Sequence, residues 1–79
     1  MVWRVVEHAE RQWSVSVAAE RRANSTQWNL VFAFRPLGPG QRAFWATYPL
    51  SSSSRAALFA KAEQISEAAL TAFLAEHLD

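Results

Sequence analysis

The sequence predicts an α+β domain: a four-stranded antiparallel β-meander over residues 2–50, followed by a C-terminal helical segment over residues 51–79 packed on one face of the sheet. Three observations predict it. Four tryptophans, Trp3, Trp13, Trp28 and Trp45, fall one to each of four apolar stretches in the first fifty residues, and rings of this size are the most productive groups to bury. Two of those stretches alternate apolar and polar residues with the period of a half-buried strand. The last third of the chain drops that alternation and repeats its apolar residues at helical spacing. A chain of 79 residues holds one domain, and near this size a single core is so marginal that self-association is a common remedy.

Val2 to His8 is β-branched and aromatic, and Gln12 to Ala19 sets Trp13, Val15 and Val17 against Ser14 and Ser16. The residues between them, Ala9, Glu10 and Arg11, include no glycine or Asn-Gly pair, which disfavours a two-residue primed turn. A two-residue loop would also place Arg4 opposite Val15 on the inner face, burying a guanidinium with no evident partner. A three-residue loop is therefore expected, with Val5 opposite Val15 and Trp3 opposite Val17.

Glu20 to Thr26 is a polar connector, and Gln27 to Arg35 alternates again with Trp28, Leu30, Phe32 and Phe34 on one face. Pro36 to Gln41 holds both glycines and two of the three prolines, so it is a loop. Arg42 to Tyr48 forms the fourth strand. Pairing Arg35 with Arg42 sends Trp45 inward and leaves Arg42, Phe44 and Tyr48 outside, and a slip of one residue inverts this. Pro49 is expected to end the strand.

One of Ser51 to Ser54 caps the following helix. Leu58, Ala62, Ile65, Ala69 and Phe73 make its apolar stripe, which Leu70, Leu74 and Leu78 widen. An unbroken helix from Ser54 to Leu78 would run about 37 Å at the standard rise, longer than a typical strand of about 17 to 20 Å, so a break near Ser66, with that serine as a second cap, is one expectation. Without the break, Phe59, Leu70 and Leu74 exceed what a small sheet covers and form a candidate interaction surface.

Net charge is +1, too small to set up a strong field. The distribution is uneven. Residues 1–50 carry six arginines against three glutamates, a net +3, and residues 51–79 carry Arg55 and Lys61 against Glu63, Glu67, Glu76 and Asp79, a net −2. The absence of cysteine excludes disulfides and thiolate metal sites. Charged residues within Met1 to Glu10 leave no apolar signal-peptide core, and the longest apolar run, Leu30 to Phe34, is too short to span a bilayer. The expectation is a cytoplasmic protein without membrane insertion.

No catalytic, cofactor or metal motif stands out. His8 beside Glu7 and His77 beside Glu76 are sequence neighbours, which diverge on a strand and sit about 100° apart on a helix, so they read as surface residues. Ser14 and Ser16 lack a nucleophile elbow and a nearby base. Gly38-Pro39-Gly40 lacks the lysine and helix of a phosphate loop. A non-enzymatic protein without cofactor is expected.

Two binding functions are consistent with the pattern. The first is a small interaction module, a homodimer or the partner of another protein, working through Phe59, Leu70 and Leu74. The alternative is a single-stranded DNA- or RNA-binding module using Arg4, Arg35, Arg42, Phe44 and Tyr48 on the outer sheet face, where rings stack on bases and guanidinium groups hold phosphates. In the order of its elements alone, four strands then a helix, the chain resembles dimeric single-stranded DNA-binding modules of the Whirly kind.

Overall fold

A computed structural model describes residues 2–78; Met1 and Asp79, which belong to the domain as read from the sequence, lie outside the described residues. Four strands, β1 (Arg4–His8), β2 (Arg11–Glu20), β3 (Trp28–Pro36) and β4 (Phe44–Ser52), precede two helices, α1 (Arg55–Ala62) and α2 (Glu67–Leu78). The strands form one antiparallel sheet in the order β1-β2-β3-β4. Both helices pack on one side of it, α1 against β3 and β4 and α2 beside β1. The α+β meander expected from the alternation is the observed fold.

Alternation sets the inner face of the two central strands. Val15 pairs with Phe34, Val17 with Phe32 and Ala19 with Leu30, and Trp13, Val15, Leu30, Phe32 and Phe34 are fully buried. Phe32 is the hub of this face. It stacks on Trp3 at 5.7 Å and meets Tyr48, Phe34 and Phe73 edge-on or tilted at 5.3 to 5.9 Å, the offset arrangements that ring quadrupoles favour.

The helix breaks where a second serine cap was expected. Ser54 Oγ accepts from the Ala57 amide and Ser66 Oγ from the Ala69 amide, each satisfying a first-turn donor that has no partner within the helix. The turn between them lets both helices lie on the small sheet. Leu58 and Ala62 of α1 and Leu70, Phe73 and Leu74 of α2 therefore all join one core.

Three expectations are overturned. The β1–β2 connection is a two-residue loop, Ala9 and Glu10, both in the left-handed region with φ of 52° and 65°, and it pairs Arg4 with Val15 and Val5 with Ser14. Arg4 is thus on the helix-covered side, and its partners are remote in sequence. It donates from Nη1 to the Ile65 carbonyl and from Nη2 to the Glu63 carbonyl at 3.2 Å, oxygens that the end of α1 leaves without helical donors. The guanidinium also lies 4.0 Å from the centre of the Trp3 ring, a cation–π contact. Trp3 can join it because its amide bonds the Val15 carbonyl while Arg4 is registered opposite the same residue. Two residues opposing one is a β-bulge, and neighbouring side chains then share a side.

The second correction concerns β4. Phe34 pairs with Phe44 and Ala33 with Trp45, one residue away from the expected register. Phe44 and Tyr48 therefore face inward and Trp45 outward. Packing decides it: Phe44 meets Phe34, Trp13 and His77, and Tyr48 meets Phe32 and Phe73, so the inner register buries two rings where the other buries one. The third concerns Pro49, which does not end the strand. The register shifts between Asn29 and Leu30 so that β4 resumes pairing at Ser51, and a proline is tolerated where an edge strand bulges.

Candidate interaction face

The outer face of the sheet is built from the residues that alternate with the core. On β2 these are Ser14, Ser16 and Ala18, on β3 Val31, Ala33 and Arg35, on β4 Trp45 and Thr47, in cross-strand register Ser14↔Arg35, Ser16↔Ala33, Ala18↔Val31, Ala33↔Trp45 and Val31↔Thr47. Its centre is low in relief, because serine and alanine side chains rise little above the backbone. Its margins are apolar: Val2 is 55 % exposed, Val5 44 % and Trp45 71 %, and Val2 lies beside Ser14 and Ser16. A groove of about 380 Å³ runs next to Trp45, lined by Ala18, Glu20, Val31 and Thr47. Among the described residues, neither helix covers this face.

Charge marks the two ends of the face. Arg35 is exposed opposite Ser14, and Glu20 is exposed opposite Asn29. Six residues of β2 separate those two levels, about 20 Å at the rise of a strand. A cation and an anion therefore stand at opposite ends of a flat, small-residue centre.

The residues read from the sequence as binding candidates are scattered by the fold. Leu70 and Leu74 are fully buried against the sheet, and Phe59 is half-buried with Arg55 over its ring at 5.8 Å, so of these three only Phe59 keeps apolar surface exposed. Of the five proposed sheet contacts, Arg4, Phe44 and Tyr48 are on the inner side, Arg35 is on the outer face, and Arg42 is exposed in the loop before β4. The ring that does stand on the outer face is Trp45, which the sequence reading had turned inward.

The two histidines lie on different elements, His8 at the end of β1 and His77 in α2. His77 Nδ1 lies 2.9 Å from the Phe73 carbonyl one turn earlier, with its ring packed on Phe44 and Phe73. Among the described residues no three His, Asp or Glu side chains gather in a way that holds a metal ion, and no helix is long and apolar enough to cross a membrane. Among the described residues, the fully buried Trp13 indole N–H has no hydrogen-bond partner. This chain matches no protein-family model, no curated protein and no solved structure.

Proposed function

We propose that this protein is a non-catalytic interaction module that forms a homodimer by stacking the outer faces of two sheets, with Trp45 as the anchor. The observation that carries this reading is a ring 71 % exposed on a sheet face that neither helix covers, whose middle is Ser16, Ala18, Val31 and Ala33. Large exposed apolar groups around a flat face are typical of protein contacts, and tryptophan is the residue most often found to dominate their energy.

The occupant is a second copy because the charges fit one. A two-fold axis between the sheets and perpendicular to the strands reverses the strand direction of one copy. Arg35 of each protomer then stands over the Glu20 end of its partner, twice. Sheets stacked face to face lie about 10 Å apart, within reach of an arginine and a glutamate extended toward each other. The same axis sets the two Trp45 rings side by side above the β4 edges, since Trp45 lies level with Ala33 and the midpoint of the outer β3 residues falls between Val31 and Ala33. Four strands of this length offer roughly 500 Å² of flat area per copy, and side-chain relief brings the accessible area toward the ~800 Å² per partner of a standard interface.

Light scattering after size exclusion over a range of concentrations tests this reading. Wild type is expected to approach twice the chain mass of 8.9 kDa. Trp45→Ala weakens association by about 30- to 1000-fold, the range of a 2 to 4 kcal/mol anchor. Arg35→Glu weakens it less, and adding Glu20→Arg restores it. A monomer at every concentration, or a mass indifferent to Trp45→Ala, overturns the proposal. A labelled single-stranded oligonucleotide that co-elutes in low salt and dissociates in high salt would transfer Arg35, Arg42 and Trp45 to the nucleic-acid reading instead.

A further inference from the structure

The free edge of β1 lies beside α2, at the border of the outer face. A groove of about 660 Å³ lies between this edge and α2. Three consecutive strand residues, Val5, Val6 and Glu7, line one wall; because their side chains alternate between faces, a groove that sees all three runs along the backbone edge itself. Ala68 and Ala72 of α2 line the other wall, and their small side chains leave the gap beside the strand unfilled.

The two-residue hairpin determines which backbone groups face this groove. His8 and Arg11 flank the loop and exchange hydrogen bonds, so Val6 with Trp13 is the next bonded pair, and Val5 and Glu7 turn their N–H and C=O groups away from β2. Those groups point along the free edge. An unpaired row of donors and acceptors is a template for another strand, and a helix beside such an edge supplies the second wall of a slot, the arrangement by which extended peptides add to sheets.

Charge selects the occupant. Glu7 and Glu67 both line the groove and, among the described residues, no basic side chain does. Arg11, opposite His8 at the hairpin, donates instead to the Pro39 carbonyl at 2.8 Å, and Arg4 is committed to Ile65 and Glu63. A second copy pairing through its own β1 would carry Glu7 toward Glu67 and add like charge. We infer that the β1–α2 groove binds an extended basic peptide by strand addition, the peptide backbone pairing with Val5 and Glu7 and its cationic side chains meeting Glu7 and Glu67. Five residues of β1 at about 3.3 Å each give a slot roughly 17 Å long, enough for a peptide of about five residues.

The probe is a fluorescein-labelled heptapeptide of alternating lysine and valine, titrated with the full chain and followed by anisotropy. Its acidic counterpart, with glutamate for lysine, measures the charge requirement. A version N-methylated at alternate residues measures the backbone requirement on unaltered protein. Expected are saturable binding of the basic peptide, at least tenfold weaker binding of the N-methylated one, and none of the acidic one. Val5→Pro is expected to abolish binding while keeping the fold, because the amide it removes faces away from β2 and proline is accepted on an edge; circular dichroism checks the fold. Glu67→Lys should weaken binding at least tenfold. No saturation by the basic peptide at millimolar protein, or binding that survives both N-methylation and Val5→Pro, overturns the inference. Neither result bears on self-association through the outer face, which is read from mass.

Discussion

The two faces of this sheet are made by the same strands and differ in what the chain does with them. On the inner face, Trp13, Leu30, Phe32 and Phe34 are all fully buried beneath the helices. One residue along each strand, Ser14, Val31, Ala33 and Arg35 form the outer face, where no element of the described chain follows. The contrast teaches that a period of two assigns residues to faces but leaves open what covers each face. The inner face is closed by the chain's own helices, and the outer face, with Trp45 standing on it, is covered by neither helix.

The largest expected effect breaks the inner face at its hub. Phe32→Ala removes the ring that touches Trp3, Tyr48, Phe34 and Phe73 and should cost about 3 to 5 kcal/mol, much of the stability of a domain this size; urea denaturation followed by circular dichroism measures it. Next comes the edge of that face. Arg4→Met keeps the apolar stem but leaves the Ile65 and Glu63 carbonyls without their charged donor, an expected loss of about 1 to 3 kcal/mol in the same assay. Smaller and of opposite sign is the change at the hairpin. Replacing Ala9 and Glu10 together by Asn-Gly relieves two left-handed residues and should stabilise by about 1 kcal/mol, raising Tm by about 4 to 8 °C. The smallest effect on folding belongs to the outer face, where Trp45→Ala should move the stability of the monomer by no more than about 0.5 kcal/mol, although the proposed dimer predicts its largest effect on mass. A Trp45 variant that unfolds the monomer would erase the distinction between the two faces.

What the sequence made legible follows from the range of the forces involved. The central strands were readable because Trp13, Val15 and Val17 and then Leu30, Phe32 and Phe34 alternate over their whole length. The break at Ser66 was half readable: the cap and the excess length of an unbroken helix pointed to it, whereas the over-wide apolar stripe fitted an interaction surface equally well. The β1–β2 register was not, since Ala9 and Glu10 carry no sign of left-handed backbone and the groups that satisfy Arg4 lie 59 and 61 residues away. Nor was the face of β4: the stretch from Pro36 to Ala43 is too long to transmit register, and the choice between Trp45 and the pair Phe44 and Tyr48 is made by Phe73 and His77 on α2. The candidate site inherited both errors, because three of its five sheet residues sit on the two strands whose face was set at long range.

The latch between Arg4 and the corner after α1 also orders events in time. Each strand pair of the meander closes a short loop, whereas Arg4 and Ile65 join points about sixty residues apart. Closing that span in a disordered chain costs about 2 kcal/mol more than closing a hairpin of several residues, so the contact forms cheaply only once the sheet has brought its two sides together. It is expected to be the last stitch of folding and the first to open. Amide exchange in native conditions should therefore be faster in β1 and at residues 63–66 than in β2 and β3, and equal exchange in the two regions would show that the contact does not close late.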